Sequence, residues 1–339
     1  MMKLILNKGI LNQHLHFGNG TEKKTTRRIS CRKKLEGEIE QTTDVKVKRL
    51  LTYLHKNLNT ILIGNPSELY RIITALNKKK LFLFEGNDTQ WLEFLSKCNE
   101  IFVKDYEEFV NREIGVNNLW CAYKYVEELN ITICPYCNSQ FVFYYNTEKG
   151  KTRPVLDHYF DKATYPFLAI SIHNLIPCCK ICNSDFKGTK TMYYNKFLNP
   201  FEECFGEEVF FEKKLYQQDN LDYHAAIIGE SFKYDLKINT TKASRALREK
   251  VNNNNDLFHI EDIYNSYHKR FVNDLIIKTT IYNDLYLSNL SETFNKLFNN
   301  QVELRQHLIP NEKEANVVLL SKLTNDIVLR ELNWNTASE

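Results

Sequence analysis

The sequence predicts an α+β protein, mostly helical, with a small metal-stapled module set between helical regions. Three observations carry that expectation. Apolar residues recur at helical spacing through residues 46–130 and again from Leu257 onward. Short β-prone runs are confined to the middle of the chain. Two Cys-x-x-Cys pairs, Cys134/Cys137 and Cys179/Cys182, bracket part of that middle region. Five segments follow from this reading: a basic arm (1–45), a helical region (46–130), the motif-bearing module (131–200), a mixed connector (201–255) and a helical C-terminal region (256–339).

In the arm, Lys23, Lys24, Arg27, Arg28, Arg32, Lys33 and Lys34 crowd together. Such a run is either a solvated charged loop or an arm that contacts phosphates without reading sequence. In the helical region, Val47, Leu50, Leu51 and Leu54 form one stripe. Leu69, Ile72, Ile73 and Leu76 form the next, with Ser67 as its expected N-cap. Leu81–Phe84 reads equally as strand or buried helix, because periodicity does not separate the two in so short a run. Trp91–Glu113 and Leu119–Leu129 are further helix candidates, and Trp91, Trp120 and Tyr125 read as core aromatics.

In the module, Phe141–Tyr145 and Pro154–His158 read as strands, and Lys180–Lys190 as a short helix halted near Gly188. Glu208–Glu212 and Phe232–Ile238 alternate like strands, and Asn252–Asn255 reads as a loop or hinge. Phe271, Leu275, Ile276, Thr279 and Tyr282 mark one late helical face. Val317, Leu320, Leu323 and Ile327 mark another.

Composition sets outer bounds. With 339 residues the chain can bury a large core in two or three domains. Its 43% hydrophobic and 26% charged residues are ordinary for a soluble protein, and a net charge of +3 is too small to fix a nucleic-acid partner. No apolar run approaches the roughly 18 residues of a membrane span, and the first residues hold too short an apolar core for a secretory signal. A cytoplasmic protein is expected. Nine cysteines, an odd number, argue against a disulfide framework and for reduced thiols with a metal site.

The chemistry concentrates between Cys134 and Lys190. A Cys-x-x-Cys turn presents two thiolates to one ion, and two such turns close a tetrahedral zinc site. Cys178 competes with Cys179, but only Cys179 has the two-residue spacing to Cys182. A closed four-cysteine site holds structure and leaves no open position for chemistry, so any reaction lies elsewhere. Asp157 suits a hard cation such as Mg²⁺, and His158 suits proton removal from water. In a strand, however, these neighbours point to opposite faces. Asn174 precedes the second knuckle, and Asn183 follows it with an amide oxygen able to ligate a hard cation. Taken singly, each of these asparagines is more often a turn or cap residue.

Together the residues resemble the zinc-containing HNH endonuclease family. The resemblance rests on Cys134, Cys137, Asp157, His158, Asn174, Cys179, Cys182 and Asn183, within Leu-Asp-His-Tyr-Phe and Asn-Leu-Ile-Pro-Cys-Cys-Lys-Ile-Cys-Asn, with Lys187-Gly188 after them. It covers about a sixth of the chain. It implies a ββα-metal fold that hydrolyses phosphodiester bonds in DNA, or RNA on the same fold. His158 would be the general base, Asp157 and Asn183 would hold a catalytic Mg²⁺ or Mn²⁺, Asn174 would position the His158 loop, and the four cysteines would hold structural zinc. Asn183 stands where the family often has His, and Asp161 where similar sequences often have Pro. Lys187, Lys190, Arg27 and Arg28 are the candidate phosphate contacts. The helical flanks resemble, more loosely, HNH proteins of anti-phage systems such as Septu and retron modules, which implies an ATPase partner. The competing class is a non-catalytic zinc-stapled module that binds nucleic acid or protein.

Overall fold

Asn7 opens α1 (Lys8–Asn19) by accepting a hydrogen bond from the Ile10 amide at 2.9 Å. Gly20 closes it at φ 72°, a left-handed turn that glycine adopts without strain. The same logic of caps and apolar stripes sets out the next helices: α2 (Cys31–Gln41), α3 (Val45–Lys56), α4 (Leu58–Ile63), α5 (Pro66–Phe84), α6 (Asp88–Cys98), α7 (Lys104–Asn111) and α8 (Ala122–Leu129). A π-wound stretch, Asn99–Val103, runs α6 into α7. The computed structural model describes residues 2–22, 28–84, 88–115, 118–217, 223–294 and 317–331. They belong to two units, one of Lys3–Thr132 with Val142–Glu203, the other of Met1–Met2, Ile133–Phe141 and Cys204–Glu339.

In the first unit the stripe Val47, Leu50, Leu51 and Leu54 is fully buried, as its spacing predicts. Trp91, Trp120 and Tyr125 are core residues, also as expected. Leu81–Phe84 resolves as the last turn of α5. The cap of α5 is Asn65 and not Ser67. Asn65 Oδ1 accepts from the Glu68 amide at 2.9 Å, and the Glu68 carboxylate accepts from the Asn65 amide at 2.8 Å, a reciprocal capping box. Of the residues read as an arm, Lys8–Asn19 and Cys31–Gln41 form helices α1 and α2, while Lys23, Lys24 and Arg27 of the basic run lie outside the described residues. A Cβ at Gly18 of α1 would collide with Leu62 of α4, so glycine there permits close packing of the two helices.

After α8 come two hairpins. β1 (Tyr145–Thr147) pairs with β2 (Gly150–Thr152), so the β-prone run Phe141–Tyr145 contributes only its last residue to a strand. β3 (Val155–His158) pairs antiparallel with β4 (Leu175–Cys178), matching Asp157 to Ile176 and His158 to Leu175. The Tyr125 hydroxyl donates to the Leu175 carbonyl at 2.8 Å and ties β4 to α8. A short helix, Ile181–Lys187, follows β4 with π winding. Gly188, at φ 50°, ends it, its amide donating a hydrogen bond to the Asn183 carbonyl at 3.0 Å.

In the second unit β5 (Phe210–Leu215) pairs with β6 (Tyr234–Asn239). The helix α9 (Tyr223–Ile227) lies between them in the chain, and α10 (Arg245–Phe258), α11 (Ile260–Ile263), α12 (Lys269–Ile281) and α13 (Asp284–Thr293) follow, with a further helix at Ser321–Asp326. Asn252–Asn255, read as a hinge, lies inside α10, where Asn254 is buried between Val251 and Leu257. The buried face of α12 is Val272, Asn273, Leu275 and Ile276, and Phe271 is exposed. Residues 133–141 form a tight loop gripped by this unit. The Tyr264 hydroxyl donates to the Cys137 carbonyl at 2.8 Å, Tyr136 stacks on Phe258, and the Leu320 amide donates to the Asn138 carbonyl. Among the described residues, no helix is long and apolar enough to cross a membrane.

Candidate metal centre and the Asp157–His158 site

The first knuckle is shaped by its backbone. The Cys134 amide donates to the Gln140 carbonyl at 2.9 Å, and the Asn138 amide turns back to the Cys134 carbonyl at 2.9 Å. Asn138 takes a left-handed φ of 53° to make that turn. In the second knuckle the Cys182 amide donates to Cys179 Sγ at 3.4 Å. The sulfurs of Cys134, Cys137, Cys179 and Cys182 all lie within 4.8 Å of one another, and all four residues are buried. Thiolates about 2.3 Å from a tetrahedral zinc stand about 3.8 Å apart, so the four fit that ion. Cys178 is not in the cluster; it is buried on β4 opposite Val155. None of the nine cysteines is in a disulfide. The cluster can hold a metal ion, and its donor set is that of a structural zinc site.

Asp157 and His158 point apart, as a strand dictates. Asp157 is buried, and its Oδ1 accepts from Lys187 Nζ at 2.5 Å. The same ammonium donates to the His158 carbonyl at 2.6 Å. Lys187, expected at a phosphate on the surface, is instead buried as the counter-charge of Asp157. Removing one partner of such a pair costs about 3–5 kcal/mol, because the other is left charged without water.

The His158 ring takes a different direction. Its Nε2 lies 2.9 Å from the Ala169 carbonyl, and its ring makes a T-shaped contact with Tyr106, centroids 4.5 Å apart. A carbonyl only accepts, so Nε2 carries the proton and Nδ1 is the basic atom. Burial pushes the imidazole pKa down to about 3, with Lys162 and Lys187 adding to the fall. A solvent-facing imidazole would titrate near about 6.5.

Asn174 builds the loop after β3. Its Oδ1 accepts from the Phe160 amide at 2.7 Å, and its Nδ2 donates to the carbonyls of Phe160 and Leu168, both at 3.0 Å. This clasp closes the segment that carries Ala169 back over His158. Asp161, which the sequence left without a role, accepts from the Thr164 amide at 2.8 Å and shapes the same segment.

Asn183 is only half-buried. Its amide donates to Ser184 Oγ at 3.3 Å and makes no hydrogen bond to Asp157 or His158 among the described residues. Lys187 Nζ thus occupies Asp157 Oδ1, and the Asn183 side-chain amide is turned to Ser184. Lys190 is exposed, and Arg27 lies outside the described residues. Arg28, the remaining candidate phosphate contact, is largely buried. Its guanidinium is buried against Asp105, lies 3.0 Å from Glu108 and covers the Phe17 ring at 3.6 Å.

Fold and site thus define a mostly helical α+β protein with a four-cysteine cluster able to hold a metal ion, a buried Asp–Lys pair and an oriented histidine. No family model and no solved structure matches the chain. Among curated proteins it is similar to the Septu protein PtuB of Bacillus thuringiensis, 31% identical over 121 residues. That match spans 36% of this chain and 38% of PtuB.

Proposed function

We propose that the chain is a nucleic-acid hydrolase of the HNH class, acting on DNA in anti-phage defence. One observation supports this most: the β3–β4 hairpin and following helix hold His158 in a single tautomer, with Nδ1 as proton acceptor, beside the Asp157–Lys187 pair. His158 takes the proton of the attacking water at Nδ1. Ala169 and Tyr106 keep the ring from turning, and Asn174 keeps Ala169 in place. Lys187 holds Asp157 and the His158 backbone together, which fixes the end of β3. The zinc cluster staples the start of the helix on which Lys187 rides. A divalent ion would lower the charge developing on a phosphodiester. The partial similarity to PtuB supports the defence setting, and an ATPase partner belongs to the same proposal.

A second reading is favoured by a specific observation. Lys187 neutralises Asp157, and burial leaves His158 a weak base, which suits a non-catalytic zinc-stapled module that binds nucleic acid or protein. Incubating purified protein with supercoiled plasmid and with RNA, in Mg²⁺, Mn²⁺ or EDTA, separates the readings. Nicking that EDTA stops is expected for the hydrolase, and cleavage of RNA alone would move the substrate to RNA. Binding with no cleavage in any metal would leave the binding module.

A further inference from the structure

A cleft of about 1070 Å³ opens beside β3, bounded by the end of α7, the β1–β2 hairpin and Arg153–Val155. Its lining is polar, with Tyr123, Asn146, Thr147 and Thr152 among the side chains. Three cations face it, and two are already committed. Lys151 is paired with Glu113 at 2.7 Å, and Arg112 with Glu22 at 3.0 Å. Arg153 has no carboxylate partner among the described residues. Its guanidinium donates once, from Nη1 to the Pro154 carbonyl at 2.9 Å, and stands 5.5 Å over the Tyr123 ring. Its Nε is buried with no partner. A guanidinium carries five N–H donors in a planar fork, and a buried donor left unpaired is costly. Glu148, exposed on the hairpin turn, is the one carboxylate of the lining with no ion pair among the described residues.

The position of this arginine matters as much as its lack of a carboxylate partner. Arg153 leads directly into β3, the strand of Asp157 and His158. The cleft is larger than a single phosphate needs, and its amide, hydroxyl and phenol groups suit sugar and phosphate oxygens. A phosphate supplies the several acceptors that the fork lacks.

We propose that this cleft seats the sugar-phosphate backbone of a nucleic-acid strand, with Arg153 gripping one of its phosphates. The assignment rests on the hydrolase reading for its substrate class, and it needs no hydrolysis to be tested. Fluorescence anisotropy without added Mg²⁺ or Mn²⁺, with labelled DNA and RNA oligonucleotides on the full chain, measures affinity across salt. Arg153→Ala should weaken binding about tenfold and flatten the slope of log affinity against log salt by about one unit. Arg153→Lys should fall between, since the charge remains and the fork is lost. Arg153→Gln, which keeps most of the stem over Tyr123, serves if the alanine variant melts early. Unchanged affinity and slope in a variant with wild-type Tm would overturn the proposal. So would wild-type protein that binds neither oligonucleotide, or that binds an acidic peptide alone. Wild-type protein that binds but cuts nothing would remove the hydrolase reading, and the Arg153 variants would still decide this one.

Discussion

His14 is held neutral from both sides. Its Nε2 lies 2.6 Å from the Ile170 carbonyl, and its Nδ1 accepts from Trp120 Nε1 at 3.1 Å. Burial lowers its pKa from 6.5 to about 4. The unfolded chain therefore binds a proton that the folded chain refuses, and stability rises with pH between those values. Unfolding free energy should fall by up to about 3 kcal/mol between pH 7 and pH 4 from this group. Denaturant titrations at several pH values, with His14→Phe as the comparison, should show a shallower fall in the variant. Asn174 offers a second test at this scale. Asn174→Ala leaves three backbone groups without their partner, at a cost of about 2–4 kcal/mol, and should loosen the segment over His158. Hydrogen exchange at Phe160 should quicken; an unchanged rate would remove the clasp from the account. The grouping of Asp157, His158 and Asn174 on β3 and the loop that follows could be read from the sequence, because their neighbours in the chain spell a motif. The burial of Lys187 and Arg28 could not, since Asp157 and Asp105 reach them only through the fold.

Local signals settled some elements and misled on others. The α5 cap is an instance where the signal was present. Pro66 marks the first helical position, which makes Asn65 the cap, with Glu68 as its reciprocal partner. Asn65→Ala should lower stability by about 1 kcal/mol, and Ser67→Ala by less than half as much. Equal losses in chemical denaturation would restore Ser67 to the cap. The asparagine run in α10 shows the opposite. Asparagine is a poor helix former, yet burial of Val251, Leu257 and Phe258 carries the helix through it. The π winding of the helix Ile181–Lys187 had no sequence signature, although the stop at Gly188 did.

At the scale of the whole molecule the cysteine pairs were the most legible feature, because two residues of spacing fix the geometry of a knuckle. Elemental analysis should find one zinc per chain. Metal binding supplies roughly 10 to 16 kcal/mol in isolated zinc peptides, so Cys182→Ser should lose zinc and unfold its surroundings. A folded, zinc-free protein would contradict this. The Arg153 cleft escaped the sequence, because its parts come from α7, the β1–β2 hairpin and the lead into β3.

The central claim is that His158 removes a proton from water. Single-turnover cleavage of labelled DNA by wild-type and His158→Ala protein, matched in Tm and zinc content, tests it most directly. The variant should be slower by about 10² to 10⁴ with unchanged binding. A folded His158→Ala protein that cuts at the wild-type rate would contradict the account.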